Sequence, residues 1–444
     1  MTRLADRCAV AALGLLFAAH FLIAARSHVD VPYWDDWDHL KAGALAPRLS
    51  ADWLFSRHEE SWSVPTKLQF WAGYHLDRLN YAHQQRFNFL LFGLSLLAVG
   101  ALLRRSCPGL PVWAVCAFLA FALSPRAHQA FAWAHDSTHH YAMLGFFGAV
   151  LCLFRDELTW PWAAAGAACA LTSIVSHALG LPAIAAVWLA FCAVHAGRGK
   201  GPSAPVAGAA APTPGSGAPT PGSGAPIRGA ALAIGAALVF WLLFYPARPS
   251  RIPATAFWTM RYWRFFFNLV SWGFGSEQIS LTLGMLCFCV AAYPLFRRLR
   301  DRLPPSEAAA PAALLGLLAA LAGVALGRAA IGLDYSKASR YAAVAVWLVP
   351  LSAAAWHRAL RGSPRLPSAL AAVWLLAGLG HFWQWDFSVY RLEAEDRRAG
   401  LACVRAYYGG RGPDVCPTVY YAPLAEQLDR ARRLGIAFTR TAAD

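Results

Sequence analysis

Charge is what this sequence has least of. Only 14% of its 444 residues are Asp, Glu, Lys or Arg, and carboxylates number 24 against 39 Lys and Arg. A soluble domain runs at about one quarter charged, so a soluble globular protein is excluded. The ten cysteines include no CxxC pair and no Cys/His spacing of the zinc kind, which excludes a zinc ribbon or a thioredoxin-like motif. What fills the chain is apolar: 58% of it is hydrophobic, and mean hydropathy is +0.40. Runs of about 17–22 apolar residues recur from end to end, each long enough to cross a bilayer core. The expectation is an all-α polytopic membrane protein with eleven spans, at 8–26, 87–103, 111–127, 138–154, 160–177, 180–196, 229–246, 279–296, 308–327, 341–357 and 367–384.

The net charge of +15 does not point to nucleic acid, because the basic residues form no single patch. They sit in short clusters between apolar runs: Arg104-Arg105, Arg198/Lys200, Arg297/Arg298/Arg300/Arg302 and Arg358/Arg361/Arg365. That is the pattern of cytoplasmic loops. Alternating from an inside N-terminus puts all four clusters on that side. Residues 27–86, 247–278, 328–340 and 385–444 then lie outside. The opening MTRLADR and its apolar run read as an uncleaved first span, since Cys8 to Ala25 is long for a signal peptide and no convincing cleavage site follows. The expected setting is a bacterial inner membrane, with the C-terminus extracytoplasmic.

Four regions result: an N-terminal module at 1–196, a linker at 197–228, a C-terminal module at 229–384 and a small extracytoplasmic appendage at 385–444. The linker repeats APTPGSG in tandem and cannot bury a core. Residues 27–86 carry apolar and aromatic side chains at helical spacing, as interfacial helices do. The loop with Arg248, Arg251, Arg261 and Arg264 among aromatics reads the same way. Cys403 and Cys416 stand in the polar tail, where a disulfide is expected if the tail is outside; two free thiols are the alternative.

The scarce acid is concentrated. In "VPYWDDWDHL", immediately after the first span, Asp35, Asp36 and Asp38 are interleaved with Trp34 and Trp37. A carboxylate at the water–lipid boundary can accept a proton from a hydroxyl or hold a divalent cation; the alternative is an acidic cap on a surface helix. "SRHEESW" adds His58, Glu59 and Glu60 to the same loop. In "FAWAHDSTHHY", His135, Asp136, His139 and His140 have a spacing that could put two imidazoles on one helix face, without the glutamate of HExxH. In "GRAAIGLDYSKASRYA", Arg328, Lys337 and Arg340 stand outside against the charge bias. They suit a phosphate or pairing with the acidic loop.

This order of elements resembles the GT-C superfamily of membrane glycosyltransferases, through "PYWDDWDHL", "HEESWSVPTKL" and "GRAAIGLDYSKASRY". The resemblance implies transfer of a sugar from a polyprenyl-phosphate donor to a glycan, lipid or protein acceptor at the outer surface. The base would be Asp36 or Asp35, with a slight preference for Asp36. Arg340, with Arg328 or Lys337, would hold the donor phosphate, and Tyr341 would contact substrate. Glu60, His58, Asp38 and His139 would contact substrate, and Trp34, Trp37 or Trp62 would stack on it. A divalent cation is possible in such a site but not required. The competing readings are a transporter or flippase, which would place polar residues at mid-membrane, and a relative that kept the fold without the activity.

Overall fold

An apolar run in lipid can satisfy its backbone only by closing its own hydrogen bonds, and helices duly dominate. The computed structural model describes residues 2–196, 224–244, 253–298, 303–361, 365–382 and 386–441. Among them the chain is all-α, with one isolated bridge between His58 and Ser61. Helix α1 (Thr2–Ala25) leads into a 3-10 turn (Trp34–Leu40), then α2 (Ala51–Leu54) and α3 (Val64–Asp77). Next come α4 (Tyr81–Ser106), α5 (Val112–Ala120), α6 (His128–Ala132), α7 (Ser137–Leu153), α8 (Trp160–Ser176) and α9 (Gly180–Ala196). The second half holds α10 (Gly224–Phe244), α11 (Met260–Gly273), α12 (Leu281–Arg298), α13 (Pro305–Arg328), α14 (Ser339–Ala345), α15 (Leu348–Ala359) and α16 (Leu366–Phe382). The tail forms α17 (Ser388–Tyr408), α18 (Ala425–Leu434) and α19 (Ala437–Thr441).

Each expected span meets a helix. Four helices, Arg3–Ala25, Tyr81–Ser106, Gly224–Leu243 and Pro305–Arg328, are long and apolar enough to cross a membrane. Two expected spans are broken. The run at 111–127 leaves α5 for 3-10 turns, because Ser124 is extended before Pro125 and takes the Arg126 N–H on its side chain; a residue before proline avoids the helical region. The run at 341–357 splits into α14 and α15 at Val346–Trp347. Pro350 lies four residues after Val346 and cannot donate to its carbonyl. The expected linker falls mostly on residues outside those described, and 224–228 already belong to α10.

The helices share one apolar core, in which Phe92, Phe147 and Trp347 meet between α4, α7 and the start of α15. Helix α7 approaches α8 closely through Gly145 and Gly148: a Cβ at Gly145 would lie 2.6 Å from the Cys169 carbonyl. Small residues at such contacts let backbones approach, as in membrane bundles generally. At one end Arg358 pairs with Glu307, Ser306 Oγ donates to Asp156 at 2.9 Å, and Arg105 caps the carbonyls of Leu151 and Phe154. All of these belong to segments that the charge bias groups on one side.

The other end has its own core, and the tail builds half of it. Trp37 and Leu40 of the 3-10 turn, Phe70 of α3 and Tyr81 are buried with Leu424, Leu428, Ile436 and Phe438. The rings of Trp37 and Phe438 meet edge to face at 5.7 Å. The Trp34 N–H donates to the Val419 carbonyl at 2.8 Å, the Ala437 N–H to Arg78 at 2.9 Å, and Arg430 Nη2 to the Leu45 carbonyl at 2.8 Å. Cys403 and Cys416 are joined in a disulfide, one of the two states open to them in the sequence. Full burial of a large apolar side chain is worth about 1.5–3 kcal/mol, so several such residues bind tail to loop firmly. The expected appendage is thus the second half of a domain begun by the first loop.

Candidate functional site

The 3-10 turn separates its aspartates. Asp36 is wholly buried: one carboxylate oxygen accepts the Tyr33 N–H at 3.0 Å and the other the His135 N–H at 2.7 Å. Burial pushes its pKa up to about 7, against the pull of those two N–H groups and of Arg397. Both oxygens being engaged by backbone, Asp36 braces the turn against the segment before α7. Arg397, itself buried in α17, lies over the Tyr33 ring at 4.7 Å and pairs with Glu393 at 3.0 Å. The tail therefore supports the brace from beneath.

Asp35 points the other way, with its side chain one-third exposed. His58 Nε2 lies 3.9 Å from Asp35, and His58 Nδ1 lies 3.6 Å from Asp38. The ring of His58 packs on that of His135 at 4.3 Å. His135 Nδ1 and His39 Nε2 share a hydrogen bond of 2.9 Å, which leaves Nε2 of His135 for the cluster. Burial alone would raise the Asp35 pKa, but His58, His135 and Arg340 outweigh it and hold the carboxyl well below its usual range. Burial likewise opposes protonation of His58, yet Asp35, Asp38 and Glu59 raise its pKa above the ordinary value. Burial together with neighbouring cationic groups pushes His135 and His39 down.

One ligand atom each from Asp35, His58 and His135 lies within 4.8 Å of the others. His58 Nε2 is buried without a hydrogen-bond partner. These residues fit a divalent cation: two imidazoles and a carboxylate suit a first-row transition ion, and His39 sets the orientation of His135 from behind.

The backbone around the cluster is strained. Trp34, Glu59 and Ser63 adopt φ of +47°, +48° and +54°, each costing about 1–3 kcal/mol and persisting only where the surroundings impose it. Such residues cluster where side chains must be aimed, and here they flank Asp35 and His58.

The three external cations have different fates. Arg340 is held by rings, with Tyr335, Trp133 and Tyr341 at 5.1, 5.6 and 5.6 Å from its guanidinium, and its charge reaches Asp35. Arg328 Nη2 pairs with Glu60 at 2.7 Å and Glu59 at 3.2 Å, so the expected charge pairing with the acidic loop is present. Lys337 Nζ donates to the Asn268 carbonyl, Ser271 Oγ and the Ser276 carbonyl at 2.9, 2.9 and 2.6 Å. An ammonium has three N–H groups, so Lys337 has none left for a phosphate. Its burial lowers its pKa to about 7.

Of the remaining expected site residues, Asp38 pairs with Lys41 at 2.5 Å and accepts from Tyr420 at 3.3 Å. His139 lies one step from the cluster, its ring 4.2 Å from His177 and its Nδ1 3.5 Å from Asp136. His135 precedes α7, so the i, i+4 pair does not form on one helix. His140 turns away to the Ala130 carbonyl at 3.0 Å. Trp37 is buried on Phe438 and Trp62 faces Phe240 of α10; of the three candidate stacking tryptophans only Trp34 stands beside Asp35. His39, His177, Trp133 and Arg397 were not foreseen. His39 was within reach, four positions after Asp35, but its partner lies 96 residues away.

The sequence matches no family model and no curated protein. Among solved structures, the crystal structure of ArnT from Cupriavidus metallidurans in the apo state is similar over 98% of this chain and 78% of that one, at 15% identity and a TM-score of 0.39. A likeness that loose is no basis for reading one chain's chemistry into the other.

Proposed function

We propose that the protein is a membrane glycosyltransferase that moves a sugar from a polyprenyl phosphate to an acceptor hydroxyl at the outer membrane surface, with Asp35 as the base. The observation that supports this reading best is the Asp35–His58–His135 cluster, set beside the ring-held Arg340. A polyprenyl phosphate leaves readily, whereas a hydroxyl is a poor nucleophile until a group takes its proton. Asp35 is partly open and ionised, while Asp36 has both oxygens occupied. His58 tunes it: protonated, His58 holds the Asp35 charge and weakens it as a base; neutral, it releases it. Arg340 is the cation for the donor phosphate, since a guanidinium can grip two phosphate oxygens at once. A cation bound at Asp35, His58 and His135 would require His58 without its proton and would occupy the Asp35 carboxylate, so it would replace the base role and not add to it.

The test is turnover by the purified protein in liposomes with a panel of polyprenyl-phosphate sugars and hydroxyl acceptors. The reading expects one donor to be consumed, and Arg340→Ala to raise the donor KM by about ten-fold or more, the loss of a charged hydrogen bond. Absence of turnover across the panel, or an unchanged donor KM in Arg340→Ala, would overturn it.

A further inference from the structure

Beside Asp35 lies an aromatic surface that proton transfer does not use. The Trp34 indole and the Tyr421 ring are 5.6 Å apart and 35° from parallel. Tyr421 in turn lies 4.8 Å from Tyr420. Tyr421 is 63% exposed, whereas Tyr420 is 6% exposed. Two chain segments almost four hundred residues apart thus meet in one aromatic cluster, whose open member is Tyr421, with the half-buried Trp34 packed against it. Trp34 reaches it only through a left-handed backbone, pinned by its N–H to the Val419 carbonyl, two residues before Tyr421. A bulky residue is held in that conformation only where the surroundings impose it.

The edge of this surface is polar. Tyr420, whose ring packs on that of Tyr421, donates to Asp38, which also meets Lys41 and His58. Tryptophan and tyrosine also anchor proteins at bilayer interfaces, but the polar side chains of Asp38, Lys41 and His58 at the same edge suit lipid poorly. They suit a ring with C–H groups on its face and hydroxyls around its rim.

We propose that Tyr421, backed by Trp34, forms a stacking ledge for a pyranose ring, with Asp38 at its rim, so that the acceptor is a carbohydrate. The proposal rests on the glycosyltransferase reading and names the acceptor class for it. Binding can nevertheless be measured without donor or turnover. Saturation-transfer NMR on the intact protein in detergent, with cellobiose, maltose and mannobiose as probes, should show transfer to ring C–H protons for at least one sugar. Tyr421→Phe should keep that transfer, and Tyr421→Ala should weaken binding about ten-fold or abolish it. The thermal transition of Tyr421→Ala should match wild type, because the side chain is mostly in solvent. Absence of transfer to every sugar, or equal transfer in Tyr421→Ala, overturns the ledge. Turnover with an acceptor that contains no sugar also overturns it, while leaving the Asp35 reading intact. Sugar binding that depends on Tyr421 supports the ledge even where no polyprenyl-phosphate sugar is consumed, so the two claims fail separately.

Discussion

Asp36 Oδ1 accepts the backbone N–H of His135 at 2.7 Å, across 99 residues of sequence. That bond joins the acidic turn to the segment before α7 and so brings Asp35 and His135 to one point. The neighbouring acids are divided by direction: one is committed to backbone, the other is open to a ligand.

Removing the brace should show first as lost stability. Asp36→Ala leaves the buried His135 N–H and the part-buried Tyr33 N–H without an acceptor, at a cost of about 1–3 kcal/mol for the buried one. The thermal transition in detergent should fall clearly. A transition equal to wild type would mean that the turn does not depend on this carboxylate.

The second expectation concerns pH. His58 has a pKa raised above the ordinary 6.5, so it keeps its proton into the neutral range. If Asp35 serves as base once His58 is neutral, kcat rises with pH through a midpoint above 6.5. Asp38→Asn removes one of the carboxylates that hold the proton and should move this midpoint to lower pH. A kcat that falls with pH across this range, or a limb unmoved in Asp38→Asn, would count against the coupling.

Cation binding can be measured without catalysis. Titration calorimetry with Mn²⁺ and with Zn²⁺ should give one site in wild type, abolished in His135→Ala. In His39→Ala binding should weaken by about 10–100-fold, the usual effect of removing a ligand's orienting partner. Equal binding in wild type and His135→Ala would remove the three-residue site.

Much of this architecture could be read from the sequence, because bilayer-length apolar runs constrain backbone strongly. Each expected span meets a helix, and the acidic turn stands where the carboxylates are densest. What could not be read rests on distant pairing. Nothing local marks Trp37 as a partner of Phe438, or Arg397 as a support for Tyr33, so the tail looked separate. Asp35 and Asp36 are identical in type and adjacent, and only the His135 N–H distinguishes them. Lys337 looked like a phosphate ligand because the acceptors around it are mostly backbone carbonyls, which sequence does not reveal.

The tail supplies a further prediction. The Cys403–Cys416 disulfide closes a short loop, and such a bond typically contributes about 2–4 kcal/mol. The Cys403→Ser/Cys416→Ser variant should become sensitive to protease between α17 and α18, and transfer should fall as the acidic turn loses its support. Proteolysis as slow as in wild type would show that the shared core holds the tail without the bond.

The most direct measurement compares Asp35→Asn with Asp36→Asn in liposome-reconstituted protein supplied with saturating polyprenyl-phosphate sugar and acceptor. The assignment predicts that Asp35→Asn lowers kcat by about 10²–10⁴-fold, the usual worth of a positioned base, with its thermal transition unchanged. Asp36→Asn should lose stability and retain the greater activity per folded molecule. Full turnover in Asp35→Asn, or the larger loss of kcat in a stably folded Asp36→Asn, would contradict it.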